Sequence, residues 1–194
     1  MALNILKRWF PLRTGPTELS AEFYQRKHEE AAAYQENNWL LSEERRLLAC
    51  EPSTLLEIGF GNARFLRQIA PKVSEAIGLD WAISPLANNL PSNVSLRCAD
   101  VVTADLPSAD LVCSADVLEH FRPEDIDGVV AKLHHAGSFN YHVIACYRTP
   151  IHLSVFPPDI WLQKFRALSD AYRLVEVRER PGKKRGTICV IANY

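Results

Sequence analysis

Hydrophobic residues along the chain fall into short runs whose spacing keeps changing. Leu55-Leu56-Glu57-Ile58 is a compact apolar run closed by Gly59, the pattern of a strand buried on both faces. Residues 62–70 follow with Ala63, Phe65, Leu66 and Ile69 at helical spacing and Pro71 behind them, so strand, glycine turn and helix come in succession. The same alternation predicts strands at 76–79, 94–98, 110–114 and 141–146. It predicts helices at 83–90, at 123–135 and from Pro157-Pro158 through Trp161 and Phe165 to Leu168, the last two opened by proline. Ahead of them, residues 19–48 contain no Gly or Pro and are rich in Glu, Ala, Gln, Leu and Arg, which predicts one or two helices with Ser20 as a cap. Beyond residue 170 the period drops toward two: Leu174, Val175 and Val177 sit among charges, Pro181-Gly182 makes a turn, and 187–191 is apolar. Strands separated by helices imply a three-layer α/β fold with a mostly parallel seven-stranded sheet, the C-terminal antiparallel hairpin adding two strands at one edge.

Composition narrows the classes. With 194 residues, the chain is expected to form a single domain over 19–194, with 1–18 as a tail and 19–48 as a helical cover. A net charge of −1 provides no basic footprint, so nucleic acid is disfavoured as a partner. No run approaches the roughly 18 apolar residues of a membrane span. The tail mixes Leu3, Ile5, Leu6, Trp9 and Phe10 with Lys7, Arg8 and Arg13 and lacks the apolar core of a signal peptide. It reads either as an amphipathic foot in weak peripheral contact with a membrane or as a terminus tucked against the domain. Five scattered cysteines with no CxxC pair suggest neither a disulfide framework nor a zinc site. Cys98, Cys113, Cys146 and Cys189 lie in apolar runs and are expected to be buried thiols in a reducing cytoplasm. Nothing in the pattern speaks to oligomeric state.

Open parallel sheets bind ligands beyond the carboxyl ends of their strands, where Gly59-Phe60-Gly61 falls. Glycines there permit tight turning and close approach of backbone N–H groups to a ligand. Asp80 ends the second strand, where a carboxylate can accept two ribose hydroxyl hydrogen bonds. A dinucleotide dehydrogenase would place Gly or Ala at the position held by Arg64. What stands in order is Glu57-Ile58-Gly59-Phe60-Gly61-Asn62-Ala63, Gly78-Leu79-Asp80, Cys98-Ala99-Asp100, and a strand-four segment ending in Ser114-Ala115-Asp116-Val117-Leu118-Glu119-His120.

This order resembles the class I S-adenosylmethionine-dependent methyltransferases, in particular small bacterial-type members, strongly over residues 55–121 and by architecture elsewhere. The resemblance implies a Rossmann-like methyltransferase fold, S-adenosyl-L-methionine as cofactor and S-adenosyl-L-homocysteine as product. It implies that Gly59 and Gly61 approach the methionine part with Glu57 nearby, that Asp80 holds the ribose, and that Trp81 packs on the adenine. Asp100 would read the adenine amino group and Ser114 would sit beside the methionine end. Ala63 replaces a third glycine found in many members. Trp81 as ordinary core and Asp100 as a turn cap remain alternative readings.

Methyl transfer from a sulfonium chiefly needs alignment and desolvation, with a general base mainly for hydroxyl acceptors. His120 and His152 are the candidate bases, each with a local structural role as its alternative. His134 and His135 are explained by the carboxyl end of their helix. The acid and Asp-Asn pair of metal-dependent catechol-type members is incomplete, since Tyr147-Arg148-Thr149-Pro150 supplies no pair, and no catalytic metal is expected. Acceptor recognition falls to residues 21–39 and 147–165, where Arg148, His152, Trp161 and Lys164 would suit a sugar or other polar acceptor. Trp161 and Phe165, four apart, are equally explained by helix packing. The expected activity is methyl transfer to a small-molecule or glycan acceptor, at a hydroxyl. The alternatives are a tRNA guanine-N7-type methyltransferase, whose basic block after strand four is missing here, and a methyltransferase-like non-catalytic binding subunit.

Overall fold

The computed structural model describes residues 19–182 and 186–194, so the readings of the amino-terminal tail lie outside the described residues. Its centre is a seven-stranded sheet in the order β3-β2-β1-β4-β5-β7-β6. The strands are β1 (Thr54–Ile58), β2 (Glu75–Asp80), β3 (Val94–Cys98), β4 (Ala109–Ala115), β5 (Gly137–Ala145), β6 (Arg173–Glu179) and β7 (Thr187–Ala192). β1 to β5 pair in parallel, and β7 runs antiparallel to both β5 and β6. This is the Rossmann-like arrangement with a C-terminal hairpin that the alternation predicts.

Two apolar layers cover the sheet. On β1, Leu55 faces Leu66 and Ile69 of α4 (Arg64–Ile69) together with Leu40 and Leu47, all essentially unexposed. Leu56 and Ile58 point the other way, into a core with Val130 and Leu133 of α5 (Ile126–Ala136) and Trp161 and Phe165 of α6 (Pro158–Arg166). Strands covered on both faces must be apolar throughout, which is why β1, β2 and β4 read as runs rather than alternations. Edge strand β6 does alternate, exposed with half-buried. The close approach of α4 to the sheet depends on Gly78, where a Cβ would lie 2.6 Å from Leu66 Cδ1. β1 and β4 are pinned in register by Asp110, whose Oδ2 accepts from Ser53 N and Thr54 N at 2.9 and 2.8 Å.

Three expectations are corrected. Residues 83–90 form turns rather than a helix, because Asn89 adopts φ +48° and Arg67 draws the carbonyls of Leu86 and Asn88 outward. Residues 19–48 break into short pieces: α1 (Ala21–Glu30), α2 (Ala32–Glu36), a 3-10 turn Trp39–Glu43 and α3 (Glu44–Leu47), with a further 3-10 turn Leu48–Cys50. The predicted cap holds, since Ser20 Oγ accepts from Phe23 N at 3.2 Å. Cys98 is exposed because the strand order leaves β3 at an edge; Cys113 and Cys189 are buried and Cys146 half-buried.

Candidate active site

After β1 the chain turns through Gly59, Gly61 and Ala63, at φ +73°, +54° and +56°. A Cβ on Gly59 would lie 2.3 Å from Val117 Cγ2, so this position needs glycine for both torsion and space. Ala63 takes the left-handed conformation without being glycine, at a cost of about 1–2 kcal/mol. Gly59 N donates to Leu79 O at 2.7 Å and Gly61 N to Asp80 Oδ2 at 2.9 Å, which locks the turn to the end of β2. Asn62 Nδ2 reaches the carbonyls of Tyr34, Gln35 and Asn37 at 3.3, 3.0 and 3.0 Å, tying the same turn to the helical cover. The Arg64 side chain leaves the turn and caps Glu36 O.

Two adjoining cavities open beyond the strand ends. The first, about 120 Å³, is lined by Gly59, Asp80, Trp81, Asp100, Val101 and Phe121 among others. The second, about 300 Å³, is lined by His28, Asn38, Glu57, Gly61, His120 and His152 among others. Tyr34, Asp116 and His120 border both. Eight of the nine predicted site residues thus line this cleft. Ser114 does not: it is wholly buried in the sheet, its Oγ 2.9 Å from His142 Nδ1, because its strand position points it into the layer beneath the cleft. Asp100 lines the first cavity and also caps its own turn, accepting from Val102 N at 2.9 Å. Trp161 is fully buried against Phe156, which removes it from the expected acceptor platform, and Lys164 pairs with Asp127.

The cleft is electrostatically unusual. Burial pushes the Glu57 carboxyl well above the usual range; Asn38 donates to its Oε1 at 3.4 Å and its buried Oε2 has no hydrogen-bond partner among the described residues. Burial also raises Asp80, against the lowering effect of the Gly61 N–H and of His28. His28, 2% exposed with neither ring nitrogen hydrogen-bonded among the described residues, is lowered by burial, against the raising effect of Asp80. His120 is lowered to about 4, mainly by burial and then by His152, partly opposed by the carbonyls of Ile151 and Asp116, so its imidazole is neutral at neutral pH. The two histidine rings stand edge to face, centroids 5.0 Å apart. Asp116, at φ +55°, pairs with Arg180, whose guanidinium stacks on Trp39 at 4.3 Å.

Several residues of the cleft were not singled out from the sequence: the lining residues Tyr24, His28 and Tyr34 of the cover and Asn38, and Arg180 just after β6, which reaches the cleft through its pair with Asp116. Tyr24 and His28 share one helix face by their spacing of four, the one signal that could have raised them. Tyr24 lies edge-on to His120 at 5.9 Å and its buried hydroxyl has no partner. Arg180 had no such signal, since its position depends on the hairpin.

The methyltransferase domain family matches residues 56–136, the stretch from β1 through α5. That stretch carries a methyltransferase domain. Phosphoethanolamine N-methyltransferase 1 of Triticum aestivum is 30% identical over 106 residues, which are 47% of this chain and only 21% of the wheat protein's length. Among solved structures, the Burkholderia thailandensis 1,6-didemethyltoxoflavin-N1-methyltransferase, with 1,6-didemethyltoxoflavin and S-adenosylhomocysteine bound, superimposes with a TM-score of 0.70 at 16% identity, covering 89% of this chain and 84% of that chain. The N-methyltransferase NodS of Bradyrhizobium japonicum, bound to S-adenosylhomocysteine, gives 0.61 at 15% identity over 89% and 97%. At these identities the structures speak for the fold alone.

Proposed function

We propose that this chain binds S-adenosylmethionine with its nucleoside in the first cavity and its methionine end reaching into the second beside Glu57 and Gly61, and transfers the methyl group to a small polar acceptor held in the rest of the second. The observation that supports the reading is that Tyr34, Asp116 and His120 border both cavities, so that a donor entering from one and an acceptor in the other would face each other across one gap. The residues fit the cofactor. Ile58, Leu79, Val101 and Trp81 wall the first cavity with apolar surface suited to a purine, and Asp80 offers a carboxylate suited to a ribose diol. The orphaned Glu57 Oε2 is a buried acceptor that an ammonium group would satisfy. When bound, the cofactor supplies a methyl group already activated on a sulfonium.

What remains for the protein is to orient the acceptor, exclude water and manage a proton. His120 faces the gap as a neutral imidazole and accepts a proton from the acceptor's nucleophile, with His152 beside it. We place the nucleophile on a hydroxyl, as on a sugar. An amine is the second reading, favoured by the wheat relative's name as a phosphoethanolamine N-methyltransferase.

Calorimetry with S-adenosylhomocysteine tests the cofactor site, and failure to bind would end the reading. With an acceptor in hand, His120→Gln should lower kcat by about 10²–10⁴-fold while leaving S-adenosylhomocysteine affinity unchanged. An unchanged kcat would remove the base role.

A further inference from the structure

Glu119 is the least explained residue of the cleft. It is wholly buried, and neither of its carboxylate oxygens has a well-formed hydrogen bond among the described residues; the nearby backbone N–H groups of Glu119 and Ala145 only partly offset burial, which holds the carboxyl well above the usual range. An isolated buried carboxylate costs several kcal/mol if ionised, so it calls for a proton or a cation. Its backbone carbonyl accepts from Ser154 N at 3.0 Å, and Ser154 Oγ donates to Phe121 O at 2.8 Å. These two bonds staple the Leu118–His120 turn to the loop after β5, which carries His152. As a result, one ligand atom each from Glu119, His120 and His152 lie within 4.8 Å of one another.

The histidines are oriented in a way that suits coordination. His120 Nδ1 lies 3.0 Å from Ile151 O and His152 Nδ1 lies 2.7 Å from Tyr147 O. A carbonyl only accepts, so each Nδ1 carries a proton, and a ring in its neutral form offers its lone pair at Nε2. Metal-ligating histidines are commonly held in this manner by a backbone carbonyl behind the ring. A tetrahedral ion with bonds of about 2.0–2.2 Å separates its ligand atoms by about 3.4 Å, so closure needs a contraction on the order of an ångström. The neighbouring Asp116 is already paired with Arg180, which leaves Glu119 as the carboxylate for an incoming cation.

We propose that Glu119, His120 and His152 form a divalent-metal site of two histidines and one carboxylate, with its fourth position open toward the acceptor cavity that both histidines line. Two imidazoles and one carboxylate suit zinc or another first-row transition ion better than magnesium or calcium, which prefer all-oxygen shells. The set is not the acid and Asp-Asn pair sought in the sequence, and this is why the sequence reading expected no metal. A metal takes the same His120 Nε2 lone pair that the base role uses, so His120 is a base in the metal-free protein and a ligand in the loaded one. That an acceptor oxygen or nitrogen would take the fourth position rests on the methyltransferase reading; the site itself does not.

The test uses the full chain, stripped with chelator and then dialysed against Zn²⁺ or Co²⁺. The wild type should retain one ion per chain and show the visible absorption of tetrahedral Co²⁺. Glu119→Gln and His152→Ala should each weaken binding by at least about tenfold, as loss of a ligand demands. His135→Ala, at an exposed position of α5, should bind as the wild type does. S-adenosylhomocysteine calorimetry on the same samples reports whether each variant is folded. Metal binding that is absent in the folded wild type, or undiminished in both Glu119→Gln and His152→Ala, overturns the proposal. S-adenosylhomocysteine binding without metal would sink this site and spare the methyltransferase reading, and the converse result would do the reverse.

Discussion

The two cavities that meet at Asp116 and His120 are built on different principles. The first is made by strand ends and the turns directly behind them: Gly59 after β1, Asp80 and Trp81 at β2, Asp100 after β3. Its geometry is backbone geometry, held by the Gly59–Leu79 and Gly61–Asp80 hydrogen bonds. The second is made by side chains brought from distant segments: His28 and Asn38 from the cover, Glu57 from β1, His152 from the loop after β5. It also concentrates polar groups left without partners, His28 and the Glu57 Oε2 among them. A site defined by backbone fixes one ligand shape, whereas a site defined by converging side chains can be re-specified by changing them one at a time. The first is therefore fixed by the fold of the backbone, whereas the second is fixed by side chains that can be varied singly.

Breaking the first cavity should have the largest effect. Gly59→Ala adds left-handed strain of about 1–2 kcal/mol and an overlap with Val117 worth about 1–3 kcal/mol, so urea unfolding should report a loss of about 2–5 kcal/mol along with lost S-adenosylhomocysteine binding. Normal stability in that variant would mean that the turn is not rigid. Asp80→Asn should cost less, weakening S-adenosylhomocysteine about 10- to 100-fold in calorimetry, the value of a charge-assisted hydrogen bond. If acceptor affinity fell equally, the two cavities would not be separable as described.

A pH measurement sharpens the contrast from beneath the acceptor side. His142, buried on β5 against Ser114 and Asn140, is lowered to about 3 by burial. Between its unfolded value near 6.5 and about 3, the unfolded chain binds a proton that the folded chain does not. Its contribution is therefore complete above about 6.5 and is lost as pH falls, at up to about 1.4 kcal/mol per pH unit. Glu57 and Glu119 are raised and act with the opposite sign, so the readout is the difference between the wild type and His142→Gln, whose denaturation midpoint should depend less on acid. Parallel curves would show that the histidine is not buried uncharged.

The smallest effect is expected at Lys132 on α5, whose Nζ donates to the carbonyls of Val101, Val102 and Ala104 at 3.3, 2.6 and 3.0 Å and so braces the Asp100 turn. Lys132→Met should weaken S-adenosylhomocysteine only a few-fold, for about 1 kcal/mol, without changing acceptor affinity. A change in acceptor affinity instead would assign that turn to the wrong cavity.

How much was legible follows from the same division. Gly59, Gly61, Asp80 and Asp100 could be placed because each sits at the end of a strand that its own neighbours define, so local spacing already determines the side of the sheet. Ser114 was misplaced by the same logic: being on the right strand does not say which face a residue points to, and register with His142 turned it inward. Trp161 looked available until α6 packed it against the sheet. The 83–90 stretch read as a helix because Ile83, Leu86 and Ala87 fit the period, but Pro85 and the pull of Arg67 on the following carbonyls outweigh that weak preference.

By itself the sequence determined the alternation of strands and helices, the parallel sheet with its hairpin, and the glycine turn with its acidic partners, because all of these arise from contacts within a few residues or from hydrophobic period. Only the tertiary structure decided that Tyr24 and His28 join the cleft, that Arg180 pairs with Asp116 in its wall, and that Glu119, His120 and His152 converge. Those meetings depend on how the cover, the loop after β5 and the hairpin pack on the finished sheet. Residues 24 and 180 carry no local pattern that refers to each other, and it is the finished sheet that brings one into the cleft and the other against its Asp116 wall.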